Sequence, residues 1–143
     1  MARIKLIPPN NFSFSTNIPI RITDINYGGH VGNDTFLSLI HEARIKFLAH
    51  YSLTELDFGD ASLIMSDISI EYKKELFYRD RLKVYVRITE LHRAGFEIFY
   101  KMVKNEEELL VAHAQSGMVC YNYAIKKIVA LPENIRLQFA EQL

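Results

Sequence analysis

The sequence has no excess of charge of either sign, because its 17 Lys and Arg residues balance its 17 Asp and Glu residues. Surfaces that bind nucleic acid depend on clustered positive charge, so this balance gives no support for a nucleic-acid partner. A net charge of zero also does little to keep copies of a protein apart. Self-association is therefore compatible with the composition.

Cysteine and long apolar runs are also scarce. Cys120 is the single cysteine, which excludes an internal disulfide and a thiolate cluster for zinc, and its place in an alternating apolar run favours a buried thiol. No apolar run approaches the roughly 20 residues of a membrane-spanning helix, and the N-terminus lacks the apolar core of a signal peptide. We therefore expect a reduced, cytoplasmic protein with no membrane segment.

The remaining composition is the ordinary balance of a globular protein, with 49% hydrophobic and 24% charged residues. The chain of 143 residues has the length of one typical domain. No internal repeat, low-complexity tract or linker divides the sequence. It therefore predicts a single domain over residues 1–143.

The spacing of apolar residues predicts one long helix and five strands. Helical spacing covers residues 33–50, with Asn33 or Asp34 as the expected N-cap. A short helical turn is expected near residues 54–59, and a terminal helix begins at Pro132. Alternating patterns predict strands at residues 12–25, 63–75, 81–91, 95–104 and 109–121. Short polar connectors favour an antiparallel meander for the last four of these strands.

Alternation in the third strand shows how the sheet is packed. One face carries Leu82, Val84, Val86 and Ile88, and the other carries Lys83, Tyr85, Arg87 and Thr89. One face must therefore be covered, and an antiparallel sheet can cover it by curling around the single long helix. The sequence predicts an α+β fold, an antiparallel five-stranded sheet wrapped around one long central helix.

The strand-to-helix junction carries a family resemblance. The segment TDINYGGHVGN followed by DTFLSLIHEARIKFL resembles the opening of hotdog-fold thioesterases, in the 4-hydroxybenzoyl-CoA thioesterase-like branch. ISIEYKKELFYRDRLKV and HRAGFEIFYKMVKNEEELLVAHAQSGMVCYN resemble later segments of the same family, so the likeness covers nearly the whole chain. It implies the hotdog fold and hydrolysis of an acyl-CoA thioester without metal or bound cofactor. It also implies a homodimer or homotetramer, with the active site at the dimer interface near the N-terminus of the central helix.

The start of the helix can polarise a thioester carbonyl. The first N–H groups of a helix have no partner within it and carry partial positive charge, which stabilises an oxyanion. Gly28, Gly29 and Gly32 allow a substrate to approach the backbone closely. We expect Gly32 and the N–H of Asn33 to contact the carbonyl oxygen, although a tight turn capped by Asn33 explains the same residues.

The resemblance implies a catalytic carboxylate at the second acid of Asp-x-Asp, but this sequence has Asn26 there. An amide cannot be a general base, so we expect Asn26 to hold water or the thioester by hydrogen bonds. Asp24, on the same strand face, is one alternative base. His41, where the family acid falls in direct register, and Glu42 are two others. Structural roles are equally open, a turn-stabilising contact for Asp24 and an ion pair with Arg44 or Lys46 for Glu42.

Two further sets of residues complete the candidate site. His30 follows the paired glycines and can orient substrate or relay a proton near pH 7. The histidines show no spacing typical of metal ligands, so we assign no metal. The phosphates of CoA need cations, and the candidates, which can also be an ordinary solvated rim, are Lys73, Lys74, Arg79, Arg81 and Arg93.

The leading hypothesis is therefore an acyl-CoA thioesterase. Because Asn26 replaces the expected carboxylate, a hotdog protein that binds acyl thioesters without hydrolysing them is the alternative. A hotdog dehydratase is a third and less favoured hypothesis, since such enzymes usually pair a His with an acid in a differently arranged helix.

Overall fold

The computed structural model of the protein describes residues 3–143. Its two α-helices are α1, Asn33–His50, and α2, Glu133–Ala140. The strands are β1 Phe14–Pro19, β2 Ser62–Tyr72, β3 Arg81–His92, β4 Gly95–Lys104, β5 Leu109–Asn122 and β6 Lys127–Ile128. The main strands form one antiparallel sheet in the order β1-β3-β4-β5-β2, and the short β6 pairs with the end of β5.

The long helix has the bounds that apolar spacing predicts, but its N-cap differs. Gly32 is the N-cap, with an extended backbone at φ −77 and ψ 162, and no side chain caps the helix. The expectation that Asn33 or Asp34 caps the helix is therefore wrong. The Gly32 carbonyl itself accepts the first hydrogen bonds, from the N–H groups of Thr35 and Phe36, each at 3.1 Å.

The first strand is shorter than predicted. It ends at Pro19, and residues 22–24 form a 3₁₀ turn rather than more strand. The Asp24 carboxylate stabilises this turn by accepting the Arg21 N–H at 2.8 Å. Residues 54–59 contain turns and no helix, so the helical turn expected there is also wrong.

The predicted meander is wrong for β2. This strand pairs with β5, whereas β3, the next strand in the chain, pairs with β1 and β4. Residues 73–80 carry the chain between the two strands and pass the start of α1, where the Val31 N–H donates to the Leu76 carbonyl at 2.8 Å. The hairpins β3–β4 and β4–β5 form as predicted. Polar connectors thus identified loops correctly but did not identify strand neighbours.

The expected sheet-on-helix packing is confirmed. The inner face of β3 is buried to 1% exposure or less at Leu82, Val84, Val86 and Ile88. One face of α1 packs on the sheet through Phe36, Leu39, Ile40, Ala43, Arg44, Phe47 and Leu48. Leu37 and Ile45, which lie outside this buried set, are exposed at 43% and 40%. The helix is therefore covered by the sheet on one side and open on the other.

Residues 3–13, called here the N-terminal segment, lie against the outer face of the sheet. The Phe12 ring packs on Tyr85 and Phe99, with centroid distances of 5.6 and 6.4 Å. The Leu6 N–H donates to Glu71 at 3.3 Å, and Arg87 donates to the Asn11 carbonyl at 3.0 Å. These contacts keep Phe99 only 1% exposed on the face away from α1.

Gly95, at the start of β4, is required by backbone packing. A Cβ at this position would lie 1.9 Å from the Met118 carbonyl oxygen, whereas a Cβ at Gly29 would have no atom within 4 Å. Gly95→Ala should lower the free energy of unfolding by about 3 kcal/mol or more, because backbone must move. Gly29→Ala should cost only about 1–2 kcal/mol, for its left-handed φ. Urea denaturation of both variants tests this, and equal losses would contradict it.

Candidate active site at the start of the central helix

The N-terminus of α1 has free backbone donors. Within residues 3–143, the N–H groups of Asn33 and Asp34 have no hydrogen-bond acceptor, and no side chain caps them. They therefore carry the partial positive charge of a helix start toward any group that approaches. A cleft of about 230 Å³ opens here, lined by His30, Val31, Asn33, Phe36, Tyr72, Lys73, Lys74 and Glu75.

Asn26 holds the loop before this helix and presents a donor to it. Its side-chain oxygen accepts the Gly28 N–H at 2.9 Å, and its backbone N–H donates to the His30 carbonyl at 2.9 Å. The side-chain nitrogen is the free end of the amide. A Cβ at Gly32 would lie 2.8 Å from an Asp34 carboxylate oxygen and 3.2 Å from this nitrogen. The absence of a side chain at Gly32 therefore leaves a gap in which both groups fit beside the helix start.

His30 is half-buried beside the same gap. Its Nδ1 lies 3.0 Å from the Val31 carbonyl oxygen. Because a carbonyl oxygen only accepts, Nδ1 carries the proton and Nε2 keeps its lone pair. His30 thus presents a hydrogen-bond acceptor to the cleft.

The structure places Asp24 and Glu42 away from this cleft, and it places His41 at a second cleft about two turns further along α1. Asp24 is 6% exposed. Its carboxylate accepts the Arg21 N–H and also lies 3.5 Å from the Arg21 guanidinium. Glu42 pairs with Lys46 at 3.3 Å on the solvent side of α1. Asp24 therefore has the turn-stabilising contact, and Glu42 the ion pair, that the sequence left open as structural alternatives. His41 bonds Glu55 and lines a different cleft.

The candidate CoA cations fall into three groups. Lys73 and Lys74 line the cleft at the helix start. Arg79 and Arg81 line a larger cleft of about 760 Å³ beside β1, β3 and the β4–β5 hairpin. Arg93 follows the other end of β3, whose 12 residues at about 3.3 Å each place the ends roughly 36 Å apart. One protomer therefore does not bring Arg93 to Arg81.

The loop between the two clefts is fixed by a nearly buried ion pair. Lys104, 9% exposed, donates to Asp80 at 3.0 Å and to the Glu75 carbonyl at 2.9 Å. The Phe77 N–H also donates to Asp80, at 2.8 Å. Burial alone would raise the pKa of Asp80, but these hydrogen bonds outweigh it, so the pKa lies below its ordinary value. The ion pair thus holds the loop against the helix start.

A second polar network, centred on Arg44, crosses the core. Arg44 is 5% exposed; its Nε donates to Glu55 at 3.2 Å and its Nη1 to the Tyr100 hydroxyl at 3.3 Å. Tyr100 lies 2.8 Å from the Ser116 hydroxyl oxygen, and burial raises the pKa of its phenol, so it stays neutral. No motif in the sequence marks this network. Its signal was a charged residue on the buried stripe of α1, four residues after Ile40.

Cys120 is buried, as predicted, and burial raises the pKa of its thiol to about 11. In the described residues, no cluster of three or more His, Cys, Asp or Glu side chains can hold a metal ion. Neither helix in residues 3–143 is long and apolar enough to cross a membrane.

A curled antiparallel sheet on one long helix, with a glycine-rich loop at the helix start, defines an α+β protein whose helix terminus presents N–H groups that no side chain caps. Its sequence matches the Thioesterase-like superfamily over residues 20–139, and the chain belongs to that superfamily. The resemblance proposed from the sequence, and with it the hotdog fold, is confirmed.

Several characterised proteins are similar along most of their length. A 1,4-dihydroxy-2-naphthoyl-CoA hydrolase from Microcystis aeruginosa is 28% identical over 120 residues, 82% of this chain and 86% of that protein. The acyl-CoA thioester hydrolase YbgC of Escherichia coli is 24% identical, over 86% of this chain and 94% of YbgC. The crystal structure of a 1,4-dihydroxy-2-naphthoyl-CoA thioesterase from Synechocystis superposes with a TM-score of 0.81 at 26% identity, covering 90% and 96% of the two chains.

The Asp80 contacts give a pH-dependent stability. Its pKa is lowered from an ordinary 3.8, so its contribution is present above that pH and is lost as pH falls through the lowered value. Asp80→Asn should therefore be less stable than wild type at pH 7, by about 1–3 kcal/mol. The difference should shrink below about pH 4 as the wild-type carboxylate is protonated. Urea denaturation across pH tests this, with exposed Asp60→Asn as the control.

Proposed function

We propose that the protein hydrolyses an acyl-CoA thioester to a free acid and CoA. The observation that carries this proposal is the start of α1, where the Asn33 and Asp34 N–H groups have no acceptor in residues 3–143 and Asn33 lines a cleft. Membership of the superfamily and the activities for which the similar proteins are named support the same reaction. A cytoplasmic location is part of the proposal, supported by the single buried thiol.

In the proposed complex, the thioester oxygen lies between the Asn33 N–H and the Asn26 side-chain nitrogen. As water attacks the carbonyl carbon, the carbonyl π electrons move to oxygen, and these two donors stabilise the resulting anion. Collapse of the intermediate breaks the C–S bond and releases CoA. His30 orients the substrate through Nε2, whose lone pair is free. The Asn26 amide is thus a donor to the oxyanion rather than a base.

The proposed CoA site follows the loop that separates the two clefts. Lys73 and Lys74 lie at the helix start, and Arg79 and Arg81 lie on the far side of the same loop. A phosphate chain can therefore pass from one pair of cations to the other along residues 73–80. Cation–phosphate hydrogen bonds are among the stronger polar contacts in proteins.

A panel of acyl-CoA thioesters should distinguish hydrolysis from binding. Acetyl-, palmitoyl-, benzoyl- and 1,4-dihydroxy-2-naphthoyl-CoA are incubated with the protein, and free thiol is measured. Hydrolysis of at least one supports the proposal. If none turns over while an acyl-CoA raises the melting temperature, the protein binds thioesters without hydrolysing them and the proposed activity is wrong.

The backbone donor can be removed without removing the helix. Asn33 is the first helical residue, where proline is well tolerated, and Gly32 already has the extended backbone that precedes proline. Asn33→Pro should therefore fold normally but lose roughly 10²–10³-fold in kcat, the usual cost of one oxyanion donor. Asn33→Ala keeps the N–H and should retain most activity. Circular dichroism and thiol release measure the two effects, and equal activity of both variants would contradict the assignment.

We also propose that two copies join along β2 and complete the site. β2 is an edge strand of 11 residues that pairs on one side only, with β5, and Met65 and Tyr72 on it are 42% and 46% exposed. A long free edge beside exposed apolar side chains is typical of a strand-pairing surface. Leu37 of α1 shares a cleft with Met65 and Ile68 of this strand and would be covered in the dimer.

A charge near the middle of β2 tests the dimer. Met65→Glu would bring two carboxylates together across the interface, so we expect the mass measured by light scattering to fall to that of a monomer while circular dichroism is unchanged. Leu137→Glu, at a 64% exposed position on α2, is the control and should leave the mass unchanged. A monomeric wild type, or a Met65→Glu variant that stays dimeric, would overturn this interface.

A further inference from the structure

His41 and Glu55 form a tight carboxylate–imidazole pair beside a cleft. Nε2 of His41 lies 2.6 Å from Oε1 of Glu55. A carboxylate only accepts, so Nε2 carries the proton and Nδ1 keeps its lone pair. The cleft has a volume of about 230 Å³ and is lined by Leu37, Ser38, His41, Arg44, Met65 and Ile68.

Glu55 is held from behind by a buried cation. Its other oxygen, Oε2, accepts Nε of Arg44 at 3.2 Å, and Arg44 is itself fixed by the Tyr100 hydroxyl. The backbone carbonyl of Glu55 accepts the Leu63 N–H at 2.6 Å, so the loop that carries it is tied to β2. Both ends of the carboxylate are therefore occupied, and its direction toward the imidazole is set by the core.

The residues around the His41 imidazole favour its pairing with Glu55 alone. The charged groups in contact with it or beside it in the cleft are Glu55, from the loop after α1, and Arg44, from α1 itself. The β2 wall of the cleft contributes only Met65 and Ile68. His41 is nevertheless 55% exposed, so water and a substrate can reach its free nitrogen.

We propose that His41 is the general base of the thioester hydrolysis and that Glu55 is the positioning residue that sets its tautomer. This inference rests on the proposed thioesterase activity. A base oriented by a third group is a recurring way to activate a nucleophile. It also provides the general base that Asn26 cannot be, since a neutral imidazole accepts a proton and an amide does not.

The proton transfers balance over one turnover. Nδ1 of His41 takes a proton from water while the water oxygen bonds the thioester carbon, and Glu55 stabilises the imidazolium through Nε2. When the C–S bond breaks, the electron pair stays on sulfur and the imidazolium returns its proton there. The products are the carboxylic acid and the CoA thiol, and His41 is neutral again.

The helix places His41 at a suitable distance from the proposed oxyanion site. Asn33, Leu37 and His41 follow one another at intervals of four residues, so they lie along one face of α1. Asn33 and His41 are separated by a rise of about 12 Å, which the backward lean of helical side chains shortens. A carbonyl bound to the Asn33 N–H, an attacking water and its hydrogen bond to the base together span on the order of 9 Å.

The test compares Glu55→Gln, Glu55→Asp and His41→Ala in the intact protein with the best substrate of the panel. His41→Ala should lower kcat by roughly 10²–10⁴-fold, the usual range for a general base. Glu55→Gln should lower kcat by about tenfold or more, because an amide can donate to Nε2 and place the proton on Nδ1. KM should change much less than kcat. Glu55→Asp, which keeps the carboxylate, should recover part of the loss.

A pH profile distinguishes this role from a structural one. Without the carboxylate, the imidazolium is less stable, so the acid limb of kcat/KM should move to lower pH in Glu55→Gln. The double variant of His41→Ala and Glu55→Gln should be no slower than His41→Ala alone. Asp57→Asn, an exposed carboxylate two residues away on the same loop, is the matched control and should behave as wild type.

The outcomes separate the two proposals. A wild type that hydrolyses no thioester overturns the proposed activity, and this assignment with it. An active wild type whose Glu55→Gln variant keeps its kcat and its pH profile overturns the assignment alone. Additive losses in the double variant, together with a lowered melting temperature and an unmoved pH profile, also overturn it, because they mark Glu55 as structural.

Discussion

The structure depends on a helix whose first N–H groups are not capped by any side chain of residues 3–143. Side-chain capping would satisfy the first N–H groups of α1 and add stability, but it would also occupy the donors that a carbonyl oxygen needs. Gly32 avoids this conflict, because it supplies the carbonyl for the first helical bonds and has no side chain to fold back. The open start is instead held by its neighbours. Asn26 closes the preceding loop, and the Leu76 carbonyl accepts the Val31 N–H next to Gly32.

Two nearly buried cations hold the surrounding elements in place. Lys104 ties the loop after β2 to β4, and Arg44 ties α1 to Glu55 and to the Tyr100 hydroxyl. Burying a charge is costly unless it is paired with an opposite charge. Each of these cations must therefore keep its carboxylate partner, and the pairing fixes the positions of both side chains. A hydrophobic core alone would not specify the direction of a side chain such as Glu55. The polar groups inside this fold therefore determine the geometry at its surface.

The sequence predicted the features that are local in the chain. The bounds of α1 and the hairpins β3–β4 and β4–β5 follow from periodicity and short connectors, and the structure has them. The neighbour of β2 could not be predicted in this way, because strand pairing across the sheet leaves no periodic signal. The same distinction holds at the site. Asn26, His30, Gly32 and Asn33 lie within eight positions of one another and were found together, whereas Glu55 comes from a loop with no recognisable pattern.

The N-terminal segment has a consequence for what the sheet can bind. Phe12 and its neighbours already occupy the outer face, with Phe99 buried beneath them. Any molecule that docks on this side of the sheet must first displace residues 3–13. The segment is thus a tethered competitor for that surface, present at a high effective concentration because it belongs to the same chain.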